Sequence, residues 1–167
     1  MTSTSHSAAT MIRAFVPGDE EAIGRLIVPI QREEFGIPIT YDEQPDLRDI
    51  AAFYQSGAGG FWVALAADGA IVGTIGLKDI GHGEAALRKM FVGADHRGDG
   101  TARALLAALL DHARAAGLER ILLGTTARFL AAHRFYEKNG FAEIAAEDLP
   151  AAFPRMAVDS KFYRLAL

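Results

Sequence analysis

The order of strand and helix patterns constrains the fold of this chain most, because that order changes near Gly93. Before Gly93, three strand-like runs follow one another through tight turns, at Phe61–Ala66, Ile71–Leu77 and Ala86–Val92. Asp68-Gly69 joins the first two runs, and Asp-Gly between apolar runs is typical of a β-hairpin. The pattern therefore predicts three successive antiparallel strands in the middle of the chain.

After Gly93, helices alternate with strands. Helices are predicted over Thr101–Ala116 and Arg128–Asn139, and each is followed by a glycine that suits a left-handed helix end. Strands are predicted at Ile121–Thr125, Phe141–Ala145 and Lys161–Leu167. This alternation indicates βαβ crossovers in the second half of an α/β domain.

The first sixty residues predict one strand and two helices. The strand is Met11–Val16, and the helices cover Glu20–Phe35, with a break expected at Pro29, and Asp46–Tyr54. Residues 1–10 are rich in Ser, Thr and Ala, and we predict that they form a disordered tail. The remaining residues, 11–167, are predicted to form a single domain.

Composition excludes several classes of function. The formal net charge of −4 supplies no overall basic field for nucleic acid. With no cysteine, the chain has no disulfide, thiolate metal ligand or cysteine nucleophile, and its five histidines lack metal-ligand spacing. The start of the chain does not resemble a signal peptide, and no apolar run is long enough to span a bilayer. We therefore expect a cytoplasmic protein without a metal or a membrane partner.

The segment Met90–Ala102 carries the clearest chemical signal. A strand runs into a turn that contains Gly98 and Gly100, and this turn opens a long helix. The first amides of a helix have no internal acceptor, and the helix dipole adds positive character there. Glycine lets the backbone approach a phosphate, and Arg97 can add a charge-assisted hydrogen bond. The segment therefore predicts an anion site.

Other nucleotide and hydrolase motifs fit this segment less well. A Walker loop requires Gly-Lys-Ser/Thr, but Thr101-Ala102 follows Gly100. A dinucleotide fingerprint requires a third glycine where Arg103 stands, and the chain contains no Gly-x-Ser-x-Gly elbow. A glycine-rich turn that merely starts a helix remains the structural alternative.

Two ordered motifs resemble the GNAT superfamily of N-acetyltransferases. Arg97-Gly98-Asp99-Gly100-Thr101-Ala102 matches its Arg/Gln-x-x-Gly-x-Gly/Ala signature, and Tyr136 with Gly140-Phe141 resembles its Tyr-x-x-x-Gly-Phe hallmark. Leu87–Val92 resembles the central strand of that superfamily, and the likeness extends from Ile12 over nearly the whole chain. The resemblance implies an α/β (α+β) fold: a mixed, mostly antiparallel sheet of about six to seven strands flanked by about four helices.

The same resemblance implies acetyl-CoA as cosubstrate and assigns roles to residues. The strand backbone at Met90, Phe91 and Val92 is expected to bind the pantetheine arm, in a gap where the strands splay. Tyr136 is expected to face the sulfur and protonate the leaving thiolate. The pyrophosphate is expected to lie among Arg97, Gly98, Asp99, Gly100, Thr101 and Ala102.

The general base is left open by the sequence. Many relatives carry glutamate at the position of Ala86, so the candidates here are Glu84, on the same strand face, and Glu33 or Glu34 near the end of the first helix. A water relay, or an amine that arrives neutral, are the alternatives. Relatives also often have asparagine where this chain has Phe129.

The predicted activity is acetyl transfer to a primary amine of a small molecule, amino acid or peptide. If the acidic stretch from Gln31 to Asp46 lines the acceptor side, it would favour a cationic amine. We expect the connection Leu149–Met156 to shape the pocket or the interface of a homodimer. The alternative function is a non-catalytic acyl-CoA-binding or regulatory module, which would keep the Arg97–Ala102 turn without needing Tyr136.

Overall fold

A computed structural model describes residues 10–127 and 129–167 of the chain. The strands are β1 Met11–Ala14, β2 Gly60–Leu65, β3 Ile71–Gly81, β4 Glu84–Val92, β5 Arg120–Thr125, β6 Ala142–Ile144 and β7 Lys161–Ala166. They form one seven-stranded sheet in the order β1-β2-β3-β4-β5-β7-β6. Every neighbouring pair is antiparallel except β4 and β5, which are parallel. The predicted fold class is confirmed.

The predicted tail lies outside the described residues from residue 1 to residue 9. Thr10 is described, and its hydroxyl lies 2.9 Å from that of Thr101. Among the described residues, none of the helices combines the length and the apolar character that crossing a bilayer requires.

The helices are α1 Glu20–Pro29, α2 Pro45–Arg48, α3 Ile50–Tyr54, α4 Thr101–Ala115 and α5 Leu130–Lys138. The predicted break at Pro29 is observed as a turn of π-helix, Ile30–Glu34, in which the amide of Phe35 donates to the carbonyl of Ile30. Proline at this position lacks an amide donor, which weakens the α-helical ladder. The helix predicted over Asp46–Tyr54 is instead two short helices, because Asp49 has a non-helical backbone.

The helices cover both faces of the sheet. Successive residues of β2 point to opposite sides, so Trp62 packs with α4 and Phe61 packs with α1 to α3. The α4 side is filled by Leu105, Leu109 and their neighbours, which are fully buried. Each face of the sheet therefore has its own apolar core.

The sheet opens between β4 and β5. These strands pair only where Glu84–Ala86 faces Arg120–Leu122, although β4 stays paired with β3 as far as Val92. A bulge bends β4: Gly76 pairs with Arg88 and Thr74 with Phe91, so three steps on β4 match two on β3. Lys89, within the bulge, has φ of 55°. The two central strands therefore diverge and leave a cleft between them.

Candidate functional site

The cleft between the diverging strands contains a cavity of about 190 Å³. Its walls are β4 from Leu87 to Phe91 and β5 from Leu123 onward. Tyr136 of α5 lines it, as do Phe153 and Asp159 of the connection between β6 and β7. Gln31, Phe35 and Ile37, which follow α1, complete the wall. Met90 and Phe91, both predicted to contact the cofactor, lie in this wall.

The turn before α4 presents a set of free amides. No hydrogen bond within the described residues uses the amides of Gly98, Asp99, Gly100, Ala102 or Arg103 as donors. Gly98 and Gly100 have φ of 84° and 94°, and no protein atom lies within 4 Å of a Cβ built at either. Five amide donors at the positive end of a fifteen-residue helix form an anion site.

Asp99 organises this turn with its carboxylate. Its Oδ1 accepts hydrogen bonds from the amide of Thr101 at 3.0 Å and from the Thr101 hydroxyl at 2.6 Å, while Oδ2 lies 3.0 Å from Nδ1 of His96. The hydrogen bond from Thr101 is the largest of the effects that lower the pKa of Asp99. The amide of Thr101, the first residue of α4, therefore already has an acceptor. The amides of Gly100 and Ala102, on either side of it, have none among the described residues.

Arg97 lies beside the free amides but is held by protein partners. Its guanidinium forms two hydrogen bonds with the carboxylate of Glu34, at 2.6 and 3.1 Å, and its Nε donates to the carbonyl of Val92 at 3.0 Å. Both charged side chains are partly exposed, at 45 % and 39 %. The pair connects the end of β4 to the π-helical turn after α1.

Tyr136 offers an unpaired phenol to the cavity. Helix α5 buries it to 7 % exposure, against the rings of Phe141 and Tyr163. Its hydroxyl has no hydrogen-bond partner among the described residues. Burial raises the pKa of Tyr136 above its usual range, so the phenol keeps its proton at neutral pH. The group can therefore donate a hydrogen bond or a proton to something that enters the cavity.

The three glutamates considered as bases do not line the cavity. Glu84 lies at the closed end of the cleft, 3.1 Å from Nε of Arg120, and Glu34 pairs with Arg97. Glu33 is exposed. The carboxylate that does line the cavity is that of Asp159, which sequence reasoning missed because no motif surrounds it. The available hint was the expectation that Leu149–Met156, just before Asp159 in the same connection, shapes the pocket or a subunit interface.

A buried polar network lies behind the β4 bulge. Nζ of Lys89 is 2.6 Å from Oε1 of Gln44 and 3.6 Å from Oδ2 of Asp46, which also accepts a 2.6 Å hydrogen bond from Tyr54. Gln44 in turn forms a reciprocal amide pair with Gln31. Burial lowers the pKa of Lys89, and the nearby carboxylate opposes this effect. The network supports Lys89 in its left-handed conformation.

The acidic residues between Gln31 and Asp46 do not line the acceptor side of the cavity, contrary to the expectation from the sequence. Asp46 is neutralised inside the protein by Lys89, and the other carboxylates of the stretch do not line the cavity. The charged residues in the described lining are Arg88, Lys89 and Asp159. Because Lys89 is already paired, Arg88 and Asp159 are the charges left for an acceptor, and an acidic lining that selects a cationic amine is not observed.

Comparisons with known proteins agree with this geometry. The sequence model of the acetyltransferase (GNAT) family matches residues 25–141. The crystal structure of an acetyltransferase of the GNAT family from Staphylococcus aureus Mu50 is 37 % identical and superposes with a TM-score of 0.91, over 95 % of this chain and 99 % of that chain. An N-acetylglutamate synthase from Neisseria gonorrhoeae, complexed with coenzyme A and N-acetyl-glutamate, is 20 % identical with a TM-score of 0.74, and covers 98 % of this chain and 36 % of that chain. The latter likeness shows the fold alone.

Curated relatives are longer than this chain. Human N-acetylaspartate synthetase is 37 % identical over 107 residues, which are 62 % of this chain and 34 % of that protein. The enzyme of the same name from Xenopus tropicalis is 38 % identical over 103 residues, or 59 % of this chain and 37 % of the relative. The chain therefore spans between about a third and just under half of the length of the curated relatives that it matches.

Proposed function

The chain belongs to the acetyltransferase (GNAT) family, and from that premise we propose that it is an acetyl-CoA-dependent N-acetyltransferase. The acceptor is a primary amine of a small molecule, an amino acid or a peptide. The observation that carries the proposal is the combination of three features: five free amides at the start of α4, a cleft between β4 and β5, and the unpaired phenol of Tyr136 in the lining of that cleft. In this proposal the diphosphate of acetyl-CoA binds at the amides, its extended arm lies in the cleft, and its thioester lies beside the phenol.

The residues of the turn fit a diphosphate. Each of the five free amides can donate one hydrogen bond to a phosphate oxygen, and the dipole of α4 favours negative charge at this end. We assign the pantetheine arm to the edge of β4 at Met90, Phe91 and Val92, where β5 no longer pairs with it. Acetyl-CoA supplies the activated acyl group, as a thioester.

Tyr136 has the role of proton donor in this proposal. As the amine nitrogen bonds to the acetyl carbon, the carbon–sulfur bond breaks and the sulfur leaves as a thiolate. The reference pKa values are about 10 for a phenol and about 8.5 for a thiol, so the transfer is uphill in water. Inside the cleft, burial disfavours the charged thiolate, as it disfavours the phenolate of Tyr136, so the pKa values of both groups rise.

The acceptor proposed from the lining carries an anionic group beside its amine. Arg88 lines the cavity half-buried and is free of a carboxylate partner among the described ion pairs. The relatives named N-acetylaspartate synthetase bear a name consistent with such an acceptor. A cytoplasmic location and a homodimer remain predictions from the sequence, to be measured by fractionation and by light scattering.

The test measures both the binding of coenzyme A and the turnover of acetyl-CoA. Calorimetry with coenzyme A measures affinity, and thiol release from acetyl-CoA is followed with L-aspartate, L-glutamate, spermidine and a short peptide with a free α-amino group. Gly100→Ala is compared with Gly117→Ala: both glycines have positive φ, 94° and 80°, and open space around the added carbon, at opposite ends of α4. Both variants should lose about 1–2 kcal/mol of stability, because alanine is strained at a positive φ.

Only Gly100→Ala should weaken coenzyme A binding, by about tenfold or more, because it disturbs the donor turn. Equal affinities in the two variants, or no binding by the wild-type protein, would refute the proposed site. Binding without turnover of any amine would favour the alternative, a non-catalytic acyl-CoA-binding or regulatory module.

A further inference from the structure

The acceptor end of the cavity contains a carboxylate that no motif identifies. Among the described residues that line the cavity, Asp159 is the one that carries an acid. Its Oδ2 accepts a hydrogen bond from the amide of Met156 at 2.9 Å, which orients the group, and its Oδ1 accepts none from the described residues. One oxygen therefore anchors the carboxylate and the other is available to a ligand.

The backbone around Asp159 is attached to the end of β5. The amide of Ser160 donates to the carbonyl of Thr125 at 2.9 Å, and the Ser160 hydroxyl accepts from the amide of Ala127 at 3.0 Å. The carboxylate lies against Gly124, where an added Cβ would be 2.6 Å from Oδ2. Glycine at this position of β5 thus leaves room for the carboxylate on the wall of the cleft.

Two positive charges act on Asp159 from a distance: Arg88 on β4 and Arg155 in its own connection. The neutral phenol of Tyr136 on α5 lines the same cavity. Burial is the largest effect on Asp159 and raises its pKa, against the lowering effects of the Met156 amide and the two arginines. Neither arginine lies within ion-pair distance of it in the described contacts. The carboxylate is therefore partly desolvated without being neutralised.

We propose that Asp159 is the general base that accepts a proton from the amine of the acceptor. This inference rests on the proposed N-acetyltransferase activity. Glu84 and Glu34 are occupied by Arg120 and Arg97, and Glu33 lies outside the cavity, so Asp159 is the carboxylate placed to meet the amine.

The acceptor nitrogen loses two protons as it changes from an ammonium ion to an amide. The acceptor arrives as an ammonium ion and gives one proton to Asp159, which frees the nitrogen lone pair. The carbon–nitrogen bond forms and the carbon–sulfur bond breaks; the thiolate takes a proton from Tyr136, and the second proton lost from nitrogen restores that phenol. Acetyl-CoA and an ammonium ion thus yield an amide, coenzyme A as its thiol, and one proton that Asp159 releases to solvent.

The experiment compares Asp159→Asn with Asp148→Asn across a pH series. Asparagine retains an oxygen for the Met156 amide, so the fold of the connection should persist. Asp148 is exposed in the same connection and does not line the cavity, so its variant removes an equal charge without touching the site. The acceptor is the amine that turns over fastest among the four named above, and kcat/KM is measured from pH 6 to the pKa of that amine.

If Asp159 is the base, Asp159→Asn should change the shape of the plot of kcat/KM against pH. The wild-type protein and Asp148→Asn should show a flat kcat/KM between the pKa of Asp159 and that of the amine, because the ammonium form is used. Asp159→Asn can use only the neutral amine, so its kcat/KM should rise about tenfold per pH unit and lie about 100-fold below wild type at pH 7.

The outcomes separate this inference from the function on which it rests. Parallel profiles for wild type and Asp159→Asn would overturn the role of Asp159 and leave the acetyltransferase activity standing. No turnover by the wild-type protein with any of the four amines would overturn both. Unchanged coenzyme A affinity in Asp159→Asn is expected, because the described contacts of Asp159 involve no residue of the amide turn.

Discussion

Removing the hydroxyl of Tyr136 should make the protein more stable and much less active. Tyr136 and Tyr163 are neighbouring buried rings, with centroids 6.1 Å apart, but their hydroxyls differ. That of Tyr163 donates to Oε2 of Glu137 at 2.6 Å, whereas that of Tyr136 has no partner among the described residues. Tyr136→Phe and Tyr163→Phe therefore both remove a phenol oxygen, but only Tyr163→Phe also removes a hydrogen bond.

The free energies follow from that difference. An unsatisfied buried hydroxyl costs about 1–3 kcal/mol, so Tyr136→Phe should raise the free energy of unfolding by about 1 kcal/mol or more. At this chain length, 1 kcal/mol corresponds to a Tm change of about 2–4 °C. Tyr163→Phe should lower the free energy of unfolding by about 1.5 kcal/mol, because it loses a hydrogen bond to a carboxylate that is itself exposed and can be rehydrated.

Tyr136→Phe should lower the activity although it raises the stability. Loss of a general acid lowers kcat by about 100-fold or more, whereas coenzyme A affinity, which depends on the amide turn, should not change. Thermal and urea unfolding measure the first effect, and thiol release with calorimetry measures the second. Comparable destabilisation by the two substitutions, or normal turnover by Tyr136→Phe, would refute the inference that the phenol is held unpaired for the reaction.

Three further predictions concern charged pairs. Glu34→Gln should tighten coenzyme A binding by up to about fivefold in calorimetry, because it releases Arg97 from a partly exposed ion pair; an unchanged affinity would mean that Arg97 does not reach the ligand. Lys89→Met should lower the free energy of unfolding by about 3 kcal/mol in urea titrations, because it leaves the buried acid beside it unneutralised. The hydrogen bond from Arg13 lowers the pKa of Asp19, so this pair should stabilise the fold above about pH 4 and lose that effect as pH falls through the lowered pKa; Asp19→Asn should flatten this part of the acid unfolding curve, and a curve identical to wild type would contradict it.

The features that the sequence predicted correctly are those whose cause lies within a few residues. Hairpins follow from Asp68-Gly69, and the end of α4 follows from Gly117, which adopts φ of 80°. The amide turn before α4 follows in the same way, since a strand, two glycines and a helix start are adjacent in the chain. Tyr136 is buried on the apolar face of α5, and its role toward the sulfur of coenzyme A stays a prediction.

The features that were missed depend on residues far apart in the chain. Arg97 and Glu34 are separated by 63 positions, and they meet only when the π-helical turn after α1 lies beside the end of β4. Their ion pair is the reason that Glu34 is not available as a base. The network of Lys89 likewise draws on Gln44, across 45 positions, to support a bulge with positive φ at a lysine. Spacing along the chain contains no signal for either contact.

Local sequence thus determined most of the strands and helices and the donor turn, because backbone propensity and side-chain periodicity act over a few residues. Which carboxylate faces the cleft was decided by tertiary structure. Whether a carboxylate is available to a ligand depends on what packs against it: arginines pair with Glu84 and Glu34, whereas Gly124 leaves room for Asp159 on the wall of the cavity. Such neighbours are brought together only when the sheet forms and its two central strands separate.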